Sequence, residues 1–366
     1  MAKALPRLLR RAAGRPKAPR RILIAHHLLL GDTIMMAPLL KKLRLKYPGA
    51  QIDMLCPRPF VGLFAGKPWG VRALPYDRRS VAAHRALLGG PGYDLALVPG
   101  DNRYAWIARA MGARWIVAFA GDSPAYKNWP IDELVPMPDQ PAAWGDIAAR
   151  LADGEFDAPF EPGEWPAPPA PDFPRPAGRY CVLHLGASSP HKLWPPENWR
   201  RLAEWAEQRG WQVVLSAGEK ERELARAVDP EGRRLDLSGR LDLAALWHLL
   251  AGADFVVCPD TGVAHLARLT STPTVALFGP GSPTVSGAGR FWRHSPFCAL
   301  TVPVPCRDQA RLFHRDVAWV RHCLRSPAEC SDPVCMKQLS VEAVIERLLE
   351  TVAPGRATDS SDPRPS

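Results

Sequence analysis

The feature that most constrains this fold is an alternation of short β-branched apolar runs with helical segments that starts twice. The first series opens with Arg21-Ile-Leu-Ile-Ala-His26 as a strand. A helix is expected from Thr33 to about Tyr47, then strands over 51–56, 71–74 and 94–98, helices over 80–88 and 104–111, and a closing strand over 114–119. The composition then breaks, with eight prolines between Pro159 and Pro176 and few apolar residues to bury, as in a stiff linker. The second series runs through strands at 180–185, 212–215, 234–237 and 255–258, with helices at 197–209, from Glu219, at 243–251 behind Asp242, and from Gly262. Strands alternating with helices make parallel sheets covered on both faces. Two such α/β units leave a cleft between facing carboxyl edges. The expected organisation is a flexible basic leader at 1–20, a first domain at 21–158, a linker at 159–178, a second domain at 179–353 and a disordered tail at 354–366.

Three strand-to-helix turns carry residues suited to an anionic ligand. Phe255-Val-Val-Cys258 is a buried-strand pattern that Pro259 ends, and Asp260 and Thr261 can cap a helix starting near Gly262. The free amides of such a helix, just beyond the carboxyl end of a parallel strand, form an anion site. The same residues also suit an ordinary capped helix. Gly186-Ala-Ser-Ser-Pro-His-Lys192 combines a small-residue turn, two hydroxyls (Ser188 and Ser189) and a lysine, which together can hold a diphosphate. Gly31-Asp32-Thr33 stands at the equivalent turn of the first series. A carboxylate there can serve as general base toward a bound hydroxyl, or simply cap the helix.

Several chemistries lose support. The chain has no P-loop, no G-x-G-x-x-G, no D-x-D triplet, no Gly-x-Ser-x-Gly elbow and no paired-histidine metal motif. His184 reads as a packed strand residue, and His265 as core or ligand. Cys306, Cys323, Cys330 and Cys335 lie in a stretch poor in secondary-structure signal, with 16, 6 and 4 residues between them. Without C-x-x-C pairs they read as reduced, packed thiols, with a structural metal site as the lesser alternative.

The formal charge of +10 is concentrated at the start of the chain. Residues 1–21 hold eight basic side chains and no acid, and the remainder is close to neutral, with 39 basic against 37 acidic residues. With Leu5, Leu8 and Leu9, this leader suits an anionic membrane surface or a solubilising tail. No aromatic residues interleave its charges, so nucleic-acid binding is not expected. No uncharged apolar run is long enough to span a bilayer, and no signal-peptide pattern is present. A cytoplasmic protein, peripheral at the inner membrane, is the expectation.

Leu30-Gly-Asp-Thr33 with Ala37-Pro-Leu-Leu40, Tyr93-Asp-Leu-Ala-Leu97, and His184-Leu-Gly-Ala-Ser-Ser-Pro-His-Lys-Leu-Trp-Pro195 follow one another in order. Glu221-Arg-Glu-Leu-Ala, Pro259-Asp-Thr-Gly-Val-Ala-His265, Leu277-Phe-Gly-Pro280 and the late Cys330…Cys335-Met336 pair continue the series. Together they resemble glycosyltransferase family 9, the lipopolysaccharide heptosyltransferases, from about residue 20 to 350. The resemblance implies a GT-B fold of two Rossmann-like domains and an inverting, metal-independent transfer without a cofactor. The implied donor is ADP-heptose, and the implied acceptor is a lipid-linked glycan of the lipopolysaccharide inner core. Carried to matching positions, it makes Asp32 the base on the acceptor hydroxyl, with Gly31 and Thr33 beside it. Ser188, Ser189 and Lys192 then contact the diphosphate, Glu221 the nucleoside, and Asp260, Thr261, Gly262 and His265 the phosphates and sugar. It also implies a final helix packed back onto the first domain. Departures at 281–289, 306–323 and Asp101-Asn-Arg-Tyr104 leave other sugars or acceptors open, as well as a sugar-nucleotide epimerase or hydrolase.

Overall fold

The computed structural model describes residues 12–352. Its two six-stranded parallel sheets share one topology. The first holds β1 (Arg21–Ile24), β2 (Gln51–Pro57), β3 (Val71–Tyr76), β4 (Tyr93–Val98), β5 (Ala113–Phe119) and β6 (Glu133–Val135), in the order β3-β2-β1-β4-β5-β6. The second holds β7 (Tyr180–His184), β8 (Gln212–Ser216), β9 (Leu235–Asp236), β10 (Phe255–Pro259), β11 (Thr274–Phe278) and β12 (Phe297–Thr301), in the order β12-β11-β10-β7-β8-β9. Counted from its own first strand, each is a doubly wound sheet whose order reverses between its first and fourth strands. That reversal, at β1/β4 and again at β7/β10, opens a crevice at the carboxyl ends, where ligands of such sheets bind. All five residues of β7 and all five of β10 are buried, as the central strands of a sheet covered on both faces must be.

The single helix expected after β1 is two. Leu30–Ile34 and Ala37–Lys46 are separate helices joined at Met35-Met36. Pro38 explains the restart, because proline is tolerated only in a first helical turn, where its missing N–H would have no partner anyway. The first series also does not close at 119, since β6 pairs in parallel with β5 beyond it.

Other expectations are corrected. The proline-rich segment has neither helix nor strand, yet it buries Phe160, Trp165 and Phe173. Trp165 Nε1 donates to the Leu63 carbonyl at 2.9 Å, and the Phe160 ring packs tilted against Trp292 with centroids 4.5 Å apart. The segment is therefore packed against both halves. The final helix, Val341–Val352, buries Val341, Val344 and Leu348 against the core of the second half, beside β11, β12 and the helix Pro196–Glu207. It does not lie on the first half, and Leu349 is exposed. The described part of the leader is docked rather than free. Arg15 pairs with Glu133 at 2.7 Å and Asp153 at 3.0 Å, and the Ala12 amide donates to the Arg114 carbonyl. The remaining leader residues to Arg11, and the tail at 354–366, lie outside the described residues.

Candidate active site

β1 delivers the chain to the first switch point, where the helix Leu30–Ile34 begins with Asp32 in its first turn. At the second switch point β7 leads into the Gly186–Lys192 turn, and β10 into Thr261, which caps the helix Gly262–Leu269. Thr261 has extended backbone angles, and its hydroxyl accepts from the Val263 amide at 3.3 Å. The actual cap is thus Thr261, and the Asp260 carboxylate faces the cleft instead.

The two helix starts meet directly. A Cβ on Gly31 would lie 2.7 Å from His265 Cδ2, and one on Gly262 would lie 2.9 Å from Leu30 Cβ. Only glycine at both positions permits this approach, so the two lips of the cleft are already in contact.

Between them is a cavity of about 440 Å³ lined by Gly31, Asp32, Ser188, Lys192, Glu221, Asp260, Thr261, Gly262 and His265. Residues more than two hundred positions apart are brought together in its wall. Thr33 and Ser189 are not in this wall. Thr33 is fully buried behind it, and the Ser189 hydroxyl caps the turn Pro190–Lys192 by accepting from the His191 amide. Sequence reasoning missed Leu29, Phe60, Ala187 and Ser286, which also line the cavity. No pattern marks Phe60, and Ser286 is held by a contact that only the fold creates. Arg268, fully buried against the Phe297 ring, donates to the Ser286 and Gly287 carbonyls.

Lys192 Nζ donates to the Asp260 carbonyl at 2.8 Å and to its carboxylate at 2.9 Å. The ammonium thus sits at the N-terminus of the Gly262–Leu269 helix, in a place suited to anionic oxygens. Burial, with the Asp260 charge adding to it and Lys192 opposing, raises the Asp32 pKa to about 6. A carboxylate so poised is mostly ionised at neutral pH and more basic than an ordinary aspartate, which suits a general base. Burial lowers the His265 pKa well below the usual range, so this ring is a neutral hydrogen-bonding group.

Glu221 lines the cavity and also has a bracing role. Its carboxylate accepts from the Ala187 amide at 2.8 Å and from the Gly218 amide at 3.0 Å. It braces the turns after β7 and β8 while lining the cavity.

Cys306, Cys323, Cys330 and Cys335 are free thiols. Burial raises the Cys335 pKa, and the neighbouring Cys306, Cys323 and Cys330 add to this, so the four thiols lie near one another. Among the described residues no group of three or more His, Cys, Asp or Glu side chains is arranged to hold a metal ion. Also among the described residues, no helix is long and apolar enough to cross a membrane.

The sequence profile of glycosyltransferase family 9 (heptosyltransferase) matches residues 81–296. The chain belongs to this family. It is similar to lipopolysaccharide heptosyltransferase 1 of Pseudomonas aeruginosa, with 29% identity across 90% of this chain and 97% of that protein. Among solved structures it resembles the ADP-heptose lipopolysaccharide heptosyltransferase II of E. coli, with a TM-score of 0.68 and 20% identity over 91% of this chain and 98% of that one. It also resembles the E. coli heptosyltransferase WaaC with ADP, with a TM-score of 0.67 and 19% identity over 90% and 99% of the two chains. The fold is accordingly GT-B, and the protein is a glycosyltransferase.

Proposed function

We propose that this glycosyltransferase moves heptose from ADP-heptose to a hydroxyl of the lipopolysaccharide inner core, with inversion and without a metal. The observation that carries the reading is the cavity of about 440 Å³ that Asp32, from the first switch point, lines together with Lys192 and Asp260 from the second. The acceptor oxygen forms a bond to the anomeric carbon and gives its proton to Asp32. The bond from that carbon to the phosphate oxygen breaks, and its electron pair leaves with ADP. Lys192 and the amides at Thr261-Gly262 stabilise the charge that develops on the diphosphate, in the place a metal ion would otherwise occupy. Contact between the two lips excludes the water that would hydrolyse the donor.

The similar proteins support the donor and the acceptor class: lipopolysaccharide heptosyltransferase 1 is 29% identical, and the two E. coli proteins of this fold are an ADP-heptose heptosyltransferase and a heptosyltransferase with ADP. Attachment to the cytoplasmic face of the inner membrane would rest on the basic residues before Arg21, which suit an anionic surface. The domain limits at 21–158 and 179–353 belong to the same proposal.

The test is ADP release by the purified chain given ADP-heptose and an inner-core acceptor, with and without a chelator. Acceptor-dependent release that survives the chelator and is lost in Asp32→Ala is expected. Release without acceptor would instead indicate a hydrolase, and full activity in Asp32→Ala would sink the assignment of the base.

A further inference from the structure

A second cavity, of about 240 Å³, opens on the other side of the Lys192–Asp260 pair. It shares Asp32, Lys192, Asp260 and Ser286 with the larger one. Its other walls are Pro280 to Ser282, Val285 and, from the segment 312–324, Leu312, Val320 and His322 to Leu324. That segment begins with a hairpin of β13 (Arg311–Leu312) and β14 (Arg315–Asp316) and returns through a bridge between Gln309 and His322. Asp32 is thus the one wall residue from the first half of the chain.

The order of groups along the cleft decides what fits here. The larger cavity runs from Glu221 to Lys192 and the helix start at Thr261-Gly262, which is the place for a diphosphate. Whatever is bonded to the terminal phosphate continues past Lys192 and Asp260 into the second cavity. At roughly 30 Å³ per water, the space equals about eight waters, which is the scale of one monosaccharide. Leu312 and Val320 offer an apolar floor for the C–H face of a sugar ring, while Asp260 and Lys192 stand at its rim. Gly281 lets Asp260 reach this position, because a Cβ there would collide with the carboxylate. The His322 ring hydrogen-bonds to the Arg311 backbone on one side, and its buried Nε2 makes no hydrogen bond. A buried ring nitrogen left unpaired beside a cavity is costly unless a ligand satisfies it.

We propose that this cavity holds the transferred sugar and that His322 hydrogen-bonds its hydroxyls, making the 309–322 segment the sugar-selecting part of the chain. The inference rests on the reading of the larger cavity as a nucleotide-sugar site, and it assigns the selection to residues outside the motifs shared with the family.

The experiment measures binding of ADP, ADP-heptose and ADP-mannose to the full chain by calorimetry, for the wild type, His322→Ala and His322→Gln. The wild type is expected to bind ADP-heptose more tightly than ADP. His322→Ala should weaken ADP-heptose by about five- to tenfold and narrow its margin over ADP-mannose, the scale of one lost hydrogen bond. ADP affinity should stay within about twofold in the same variant, which also reports an intact fold. His322→Gln should recover part of the loss. The proposal is overturned if the wild type gains nothing from the sugar, if His322→Ala leaves ADP-heptose unchanged, or if it weakens ADP equally. An effect confined to the acceptor KM would overturn it as well. Transfer activity is read separately, so a wild type that binds ADP-heptose selectively but transfers nothing would defeat the proposed reaction and leave this inference standing.

Discussion

The ammonium of Lys192 is held by both oxygens that Asp260 presents to it, the main-chain carbonyl at 2.8 Å and the carboxylate at 2.9 Å. This places a positive charge where a diphosphate is expected, on a residue anchored by the strand-to-helix turn and not by a mobile loop. The same two side chains act on Asp32 in opposite directions, Asp260 raising its pKa and Lys192 lowering it. The anion site and the base are therefore electrostatically coupled.

That coupling predicts the pH dependence. Asp32 must be ionised to accept a proton, and its pKa is raised to about 6, so kcat/KM should fall as pH drops through about 6. Asp260→Asn removes the neighbouring negative charge and should move this acid limb to lower pH. Lys192→Met removes the opposing positive charge and should move it to higher pH, besides weakening ADP binding by about tenfold or more. Rate profiles of the three proteins between pH 4.5 and 8.5 provide the check. Parallel profiles would show that Asp32 is not the titrating base.

Asp32→Asn should cost about 10²- to 10⁴-fold in kcat, the usual range for a general base, while ADP binding stays close to wild type. It should also stabilise the fold at high pH. The raised pKa means the native state favours the protonated form, so the penalty for ionised Asp32 appears as pH rises from 3.8 through about 6 and is complete above. The expected sign is a Tm higher by about 2 °C at pH 8 and unchanged near pH 3.5, measured by thermal denaturation.

How much of this was legible before the structure depends on the range of the signal. Asp32, Lys192 and Asp260 follow short apolar strands, and strand, turn and cap are each written within about ten residues, so their placement at carboxyl edges could be read directly. The doubly wound alternation was readable for the same reason. The sequence offers Glu221 as a site candidate but not its bracing of Ala187 and Gly218, because the brace joins the turns of two neighbouring strands. Trp165 sits in a proline-rich stretch whose composition marks a linker and cannot reveal that the Leu63 carbonyl accepts its indole proton. The direction of the final helix was also hidden. Its apolar stripe fits any exposed sheet face, and only tertiary packing selects the second one.

The Glu221 brace gives a prediction with a steric cause. A Cβ at Gly186 would collide with the Glu221 carboxylate. Gly186→Ala should displace that side chain, release the Ala187 and Gly218 amides, and weaken ADP by about tenfold through loss of two charge-assisted hydrogen bonds. Glu221→Ala should do the same without added bulk. A Gly186→Ala variant that binds ADP normally would show that the brace does not shape the site.

Arg315 offers the most demanding test of how the halves are held. It lies in β14, in the second half of the chain, yet its buried guanidinium donates to the Gly100, Phe119 and Ala120 carbonyls and to the Asn102 side chain in the first. The Asp122 carboxylate stands 3.7 Å away. Beside it Phe313, held at positive φ, packs on Trp144 with centroids 4.3 Å apart. Arg315→Met would keep much of the volume but orphan several carbonyls and leave Asp122 with one fewer cation. Breaking a buried charge pair from one side typically costs about 3–5 kcal/mol, and a loss of that order should appear in urea denaturation. Arg315→Lys should recover little of it, because three rotatable donors cannot reproduce the planar fork. Phe313→Ala should destabilise by about 3 kcal/mol or more through lost packing alone. If the Arg315 hairpin clasps the two halves together, both Arg315→Met and Phe313→Ala should raise the KM for donor more than they lower kcat, because they loosen the cleft without touching Asp32. A change in kcat alone would place the hairpin's contribution in the chemistry instead.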